Sequence, residues 1–121
     1  MAYVQSYVLP VPTAQFDAYH KIAADSAVIW LELGALSVME ARAENATVGK
    51  LTSFPRSVLA TEDETVVVAY ITFRDRAHRD AVMAKMESDP RMLALFSNAP
   101  IDGKRMIWGG FETFVNMGAP H

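Results

Sequence analysis

Residues 72–82, TFRDRAHRDAV, bring together side chains that could transfer protons or bind anions. These eleven residues include three arginines, two aspartates and one histidine. His78 could act as a general base, because an imidazole titrates near neutral pH. Val82 and Met86 follow it by four and eight residues, so the ring would lie along an apolar helix face. The alternative is a packed histidine that bonds to the backbone or to a carboxylate.

The arginines and aspartates of this segment can pair with one another. Asp75 is placed to cap a helix N-terminus, where its charge is favourable. Arg76 and Asp80 are four residues apart, as are Asp75 and Arg79, which is the spacing of ion pairs on a helix surface. We therefore expect a solvated, self-paired helix face. A nucleic-acid contact is not expected, because the formal net charge of the chain is −3.

A second group of candidates lies on alternate positions of the predicted strands. If these side chains share one sheet face, two carboxylates, an arginine and aromatic rings converge near a dimer axis. Such a site would suit a small apolar ligand with one polar group. The alternative is an internal salt bridge of Arg42 with Glu40 or Glu112, since buried charges are usually paired. Glu40, Arg42 and His78 are the candidates for catalysis, and the other members are candidates for ligand binding. This predicted polar set consists of Gln5, Tyr7, Glu40, Arg42, Tyr70, Trp108 and Glu112.

Metal and cofactor sites are not indicated. The chain has no cysteine, which excludes thiolate ligands and nucleophiles. Neither His78 nor His20 has a partner at metal-ligand spacing. Gly103-Lys104 lacks the rest of a phosphate-binding loop. We therefore expect no metal and no cofactor.

Hydrophobic periodicity and turn residues indicate the elements that would position these groups. Thr13 would cap a long first helix, and Gly34 would end it. Gly109-Gly110 would mark a bulge or a close backbone approach in the last strand. The connection 44–64 is long for a hairpin, so we expect it to pack on the protein. In chain order we predict strand 3–11, helix 13–33, strand 36–43, strand 65–73, helix 76–88, a short helical turn at 91–97 and strand 105–115.

This β-α-β-β-α-β order is typical of the ferredoxin-like fold, an α+β architecture with an antiparallel sheet and two helices on one face. We predict one such domain over residues 1–121. In the second strand, small or flexible residues would pack under a helix, and their alternates would lie on the open face. The first set is Ala35, Ser37, Met39 and Ala41, and the alternates are Leu36, Val38, Glu40 and Arg42.

The open face of the sheet would also carry Leu, Val and Tyr side chains. An exposed apolar sheet invites association. Two sheets packed face to face about a two-fold axis would bury it. We therefore predict a homodimer through the open sheet face.

Composition indicates the general class of the protein and its location. Hydrophobic residues make up 51% of the 121 residues and charged residues 21%, as in an ordinary globular domain. The first twelve residues have no basic segment of a signal peptide, and no apolar run approaches the length of a membrane span. We expect a cytoplasmic protein that does not contact a membrane.

Four segments carry a resemblance to a known family: MAYVQSYVLPVP, VGKLTSFPRSV, FRDRAHRDAVMAKMESDPRM and DGKRMIWGGFETFV. Together they resemble the YbaA-like family of small uncharacterised bacterial proteins. The resemblance implies a ferredoxin-like fold of the dimeric α/β-barrel class, and no activity or catalytic residues. Distant members of that class include cofactor-free monooxygenases and haem-degrading enzymes, an analogy of fold alone.

Two functions follow from these observations. The first is a dimer that binds a small molecule, including a cofactor-independent enzyme that uses the predicted polar set or His78. The second is a non-catalytic dimer for protein interaction or sequestration, in which the polar set is structural. The sequence does not separate them.

Overall fold

The structure, a computed structural model, describes residues 2–118, so the predicted domain of residues 1–121 extends past this range at both ends. The four predicted strands and both long helices are present, and the predicted turn at 91–97 is a short helix. A further short helix lies within the connection 44–64. In chain order the elements are β1 Tyr3–Pro12, α1 Phe16–Glu32, β2 Ser37–Arg42, α2 Phe54–Ser57, β3 Glu64–Phe73, α3 Arg76–Ser88, α4 Pro90–Phe96 and β4 Ile107–Glu112.

The strands form an antiparallel sheet in the order β2-β3-β1-β4. In the central strand β1, Tyr7 lies opposite Ala69 of β3 and opposite Trp108 of β4. The edge strand β2 pairs with β3, with Val38 opposite Ile71. Because side chains alternate across a strand, these registers decide which residues share a face. The predicted antiparallel sheet with helices is confirmed.

The apolar core lies between the sheet and the helices. At one end, Leu9 and Val67 of the sheet pack with Tyr19 of α1. At the other end, Phe73 is fully buried and meets Trp30 of α1 edge-on, with ring centroids 6.5 Å apart. We call the face that the helices cover the helix side, and the opposite face the open side.

The helix ends test the capping predictions. Asp75 caps α3, because its side chain accepts a hydrogen bond from the His78 amide at 2.8 Å. Gly34 follows α1 with a φ of 117°, a conformation that favours glycine. Thr13 is not the cap of α1. Its amide donates to the Asp63 carbonyl at 2.9 Å next to the β1–β3 pairing, and a short 3-10 turn precedes α1.

The connection between β2 and β3 packs on the protein, as predicted. Its helix α2 contacts β3, and Val58, just after α2, is 1% exposed. Val66 faces the open side and is buried as well, so this end of the open side is covered. The rest of the open side exposes the apolar or aromatic side chains Met39, Tyr70, Ile107 and Phe111. None of the helices in residues 2–118 has both the length and the apolar character that a membrane span requires.

Candidate functional site

A cavity of about 330 Å³ lies on the helix side, between the sheet and helices α1 and α4. Its wall consists mainly of aliphatic, aromatic and methionine side chains, including Trp30, Ile71 and Met92. Glu40 is the charged residue in this wall. An apolar cavity with a few polar groups is the usual form of a small-molecule site.

Glu40 and Tyr19 form a hydrogen-bonded pair in the wall, which also includes the hydroxyl groups of Tyr7 and Ser26. The Tyr19 hydroxyl donates a hydrogen bond to Glu40 Oε1. Tyr19 belongs to the buried face of α1, and Glu40 projects from β2 to the same side of the sheet as Val38. Within residues 2–118, no Lys, Arg or His nitrogen lies within ion-pair distance of Glu40. The carboxylate is therefore held by a neutral donor in a largely apolar wall.

The acidities of Glu40 and Tyr19 reflect this environment. Burial raises the pKa of Glu40, and the hydrogen bond from Tyr19 opposes the rise. Burial also raises the pKa of Tyr19, and the neighbouring Glu40 raises it further. By accessible surface Glu40 is an exposed residue, but the apolar wall beside its carboxylate makes it hold a proton more readily than a fully solvated glutamate. Tyr19 stays a hydrogen-bond donor at ordinary pH.

A buried polar cluster around Arg79 joins α3 to β1. The Arg79 side chain is 14% exposed, its Nη1 donates to Gln5 Oε1 at 2.6 Å, and its guanidinium lies 4.8 Å from the centre of the Tyr3 ring. Gln5 is fully buried, and its Nε2 has no hydrogen-bond partner in the described part of the chain. Burial raises the pKa of Tyr7, a cavity residue, while Gln5 and Arg79 oppose the rise. The cluster thus affects the acidity of one residue of the cavity wall, Tyr7.

Gly110 makes room for this cluster. It lies opposite Gln5 in a continuous β1–β4 register, so the bulge predicted as one alternative at Gly109-Gly110 is wrong. A Cβ at position 110 would collide with the Tyr3 hydroxyl and the Arg79 guanidinium. The other predicted alternative, a close approach to the backbone, is present. The side chains of Tyr3 and Arg79 approach Gly110.

The predicted polar set does not share one face, so that expectation is wrong. Glu40 pairs with Ala69 and therefore lies on the helix side, while Tyr70 points to the open side. The pairing with β3 fixes the phase of β2, and the small or flexible residues of β2 face the open side instead of packing under a helix. The cavity brings together Tyr7 and Glu40. The residues of the set on the helix side are Gln5, Tyr7, Glu40, Arg42, Trp108 and Glu112.

Within the described residues, the internal salt bridge of Arg42 that was the alternative to a ligand site is absent. In residues 2–118 Arg42 pairs with neither Glu40 nor Glu112. Its guanidinium carbon lies 4.2 Å from the centre of the Phe16 ring, so a cation–π contact takes the place of the ion pair. Glu40 is thereby left without a cationic partner in this part of the chain.

His78 has the geometry of a packed histidine. Its Nδ1 accepts a hydrogen bond from the Arg74 amide at 3.0 Å, so Nε2 carries the ring proton and donates to the Gly34 carbonyl at 2.8 Å. The ring meets Phe73 edge-on at 5.6 Å. Both ring nitrogens are engaged, and the residue links α3 to the turn after α1.

The remaining charges of residues 72–82 pair largely among themselves. Arg76 lies 3.8 Å from Asp80, as predicted. Arg79 pairs with Asp80 at 2.7 Å and not with Asp75, whose side chain caps α3. Throughout residues 2–118, no group of three or more His, Asp or Glu side chains could hold a metal ion.

A second charged cluster fixes the loop before β4. Arg105 donates to both oxygens of Glu64 at 2.7 Å and to Asp102 at 2.8 Å. A further bond reaches the Leu59 carbonyl at 3.0 Å. Hydrogen bonds from Arg105 are the largest cause that lowers the pKa of Glu64 to about 2. The charged groups of this cluster bond to one another. Together they join the loop before β4 to Leu59 and to Glu64 at the start of β3.

Comparison with known protein families shows to which family the chain belongs. A profile of the family described as protein of unknown function (DUF1428) matches residues 2–103. The chain belongs to this family. It is 43% identical over 116 residues to the uncharacterized protein YbaA of Escherichia coli strain K12, covering 96% of this chain and 99% of that protein. The YbaA protein of Shigella flexneri gives the same values. The family resemblance predicted from the sequence motifs is confirmed.

Solved structures show which fold this DUF1428 protein has. SnoaB, a cofactor-independent oxygenase from Streptomyces nogalater solved as a point mutant, is 12% identical with a TM-score of 0.62, covering 98% of both chains. A dimeric ferredoxin-like protein from an uncultured marine organism is 16% identical with a TM-score of 0.55, covering 97% of this chain and 100% of that one. At these identities the likeness shows the ferredoxin-like fold alone.

Sequence reasoning misses the role of Tyr19 in this DUF1428 protein. Tyr19 fits the apolar stripe of the first helix, so periodicity assigns it to the core. The signal is its residue type, because a buried tyrosine hydroxyl usually requires a hydrogen-bond partner. The partner Glu40 is 21 residues away, and only the fold brings the two together.

Proposed function

We propose that this protein binds a small apolar molecule in the cavity between the sheet and the helices, and that it does so as a homodimer. The observation that carries the proposal is the cavity of about 330 Å³, whose largely apolar wall includes the carboxylate of Glu40. An engineered apolar cavity of about 150 Å³ holds benzene in another protein. The space here therefore suits a larger molecule of two or more rings.

The dimer forms through the open side. Met39, Ile107 and Phe111 are 44%, 45% and 60% exposed there, which is unfavourable for a solvated monomer. Two open sides packed about a two-fold axis form the dimeric α/β barrel. The likeness to a dimeric ferredoxin-like protein supports this arrangement.

Cofactor-independent catalysis is one use of such a site. Glu40 accepts protons and Tyr19 donates a hydrogen bond, so acid–base chemistry in the cavity requires no bound group. The likeness to a cofactor-independent oxygenase is compatible with this use at the level of fold. The second candidate is sequestration without chemistry, which the largely apolar wall favours.

Native mass spectrometry of the gently purified protein tests both parts of the proposal. We expect a dimer that carries a small additional mass. Ala69→Phe fills the cavity from β3 and should remove the additional mass while the dimer persists. Phe111→Asp places a charge on the open side and should give a monomer. A wild-type monomer contradicts the dimer, and a bound mass that Ala69→Phe retains contradicts the cavity.

A further inference from the structure

Resting on the proposed function, we propose that the cavity takes aromatic molecules with a hydroxyl group, and that Glu40 selects them by accepting the hydroxyl hydrogen bond. Tyr19 is the positioning residue, because it holds the carboxylate from the other wall of the cavity.

One oxygen of the Glu40 carboxylate is available to a ligand. Tyr19 donates to Oε1, and in residues 2–118 no group donates to Oε2. Glu40 lines the cavity and is also an exposed residue, so a ligand in the cavity can contact its side chain. A carboxylate oxygen only accepts, so the ligand must bring the donor.

The rest of the wall selects the body of the ligand. Trp30 and Phe96 present aromatic surfaces, and Met86, Met92 and Met106 supply flexible thioether groups. Sulfur–aromatic contacts and ring stacking both favour a planar aromatic molecule.

The charge of the ligand follows from the same wall. An anionic ligand would be repelled by the carboxylate. An ammonium group would have to leave water for a largely apolar wall, which is more unfavourable than the transfer of a hydroxyl group. A neutral hydroxyl group meets the acceptor at the smallest desolvation cost.

The test is a titration of the full-length protein with four probes that share one ring system: naphthalene, 1-naphthol, 1-naphthylmethylamine and 1-naphthoate. Calorimetry gives the dissociation constants. We expect wild-type protein to bind 1-naphthol more tightly than the amine or the acid.

Variants of Glu40 identify the acceptor. Glu40→Leu should weaken 1-naphthol binding about 10- to 100-fold, because a hydrogen bond to a charged group is lost. Glu40→Gln keeps a neutral acceptor and should give an intermediate loss. Both variants should bind naphthalene within about twofold of wild type, and so should the control Glu112→Gln, whose exposed carboxylate lies outside the cavity.

The outcomes separate the two proposals. If naphthalene binds but Glu40→Leu leaves 1-naphthol binding unchanged, the selection by Glu40 is wrong and the cavity proposal stands. Tighter binding of the amine than of 1-naphthol also overturns the selection. If none of the four probes binds, the proposed function fails and this inference fails with it. Tyr19→Phe provides a second variant, and it should weaken 1-naphthol binding more than naphthalene binding.

Discussion

Glu40 and Glu64 lie on neighbouring strands of the same sheet, in surroundings of opposite character. Glu64 receives two hydrogen bonds from Arg105 at 2.7 Å, and its pKa is lowered. Glu40 receives one from the neutral Tyr19, and burial raises its pKa. Both oxygens of Glu64 accept hydrogen bonds, whereas within residues 2–118 only one oxygen of Glu40, a residue of the cavity wall, accepts one. A carboxylate without an arginine is the better candidate for binding something from outside.

Removal of Arg105 should have the largest effect on the Glu64 side of the comparison. Arg105→Ala leaves the carboxylates of Glu64 and Asp102 without a cation, so the free energy of unfolding should fall further than in any variant described below. Urea denaturation measures the change. Lys104→Ala, at an exposed neighbouring residue, is the matched control and should stay within about 0.5 kcal/mol of wild type. Equal stability of the two variants would mean that the cluster is not structural.

Neutralising each carboxylate in turn should sharpen the contrast. Glu64→Gln weakens charged hydrogen bonds and should lower the free energy of unfolding by about 1–3 kcal/mol. Glu40→Gln removes a charge that the folded state disfavours, so its stability should equal or exceed that of wild type at pH 7. Chemical denaturation of both variants under one condition gives the comparison. A loss at Glu40 as large as the loss at Glu64 would contradict it.

The two carboxylates should also give stability opposite dependences on pH. The pKa of Glu64 falls from an ordinary value of 4.5 to about 2 on folding, so its contribution is present above pH 4.5 and is lost as pH falls toward 2. The pKa of Glu40 is raised, so its contribution is present below its unfolded pKa and is lost as pH rises through the folded value.

Denaturation midpoints measured from pH 2 to pH 7 check these signs. Glu64→Gln should flatten part of the decline below pH 4.5, and Asp89 and Asp102, whose pKa values are also lowered, should account for more of it. Glu40→Gln should leave that acid decline in place. If Glu64→Gln and Glu40→Gln showed the same dependence of the denaturation midpoint on pH, the opposite signs assigned to the two carboxylates would be wrong.

The smallest expected loss of stability is at the tyrosine that holds Glu40. Tyr19→Phe removes one hydrogen bond, which should lower the free energy of unfolding by about 0.5–1.5 kcal/mol. The pKa of Glu40 should rise further, because the bond that opposes the rise is lost. Carboxyl NMR titration follows the pKa. Tyr70→Phe, on the open side, is the control and should leave the pKa of Glu40 unchanged.

The sequence predicts the elements of the fold better than it predicts the site. Alternation in residues 65–73 and the helix signals around Asp75 and Pro90 are local, so the strand β3 and the helix α3 lie where we predict them. The predicted faces of β2 are reversed. Composition places the small or flexible residues of this edge strand under a helix, whereas the pairing of Val38 with Ile71 fixes the opposite phase.

The cavity itself explains that error. The cavity lies beside β2, so a polar residue such as Glu40 can face the helix side with a hydrogen bond from Tyr19 and without close-packed apolar cover. Contacts between distant residues, such as Tyr19 with Glu40 and Arg79 with Gln5, leave no trace in local periodicity. The sequence alone does not exclude His78 as a general base. The hydrogen bond that packs its ring joins it to Gly34, 44 residues away, and local patterns do not reveal such a contact.

Gly110 has a consequence at the level of the gene. Every missense change in a glycine codon adds a Cβ, and at this position any Cβ meets Tyr3 and Arg79. Any replacement at position 110 therefore requires Tyr3 or Arg79 to move, in contrast to Gly103, where a Cβ would meet nothing within 4 Å among residues 2–118. In a library of all single mutants, missense changes at codon 110 should therefore be depleted relative to those at codon 103.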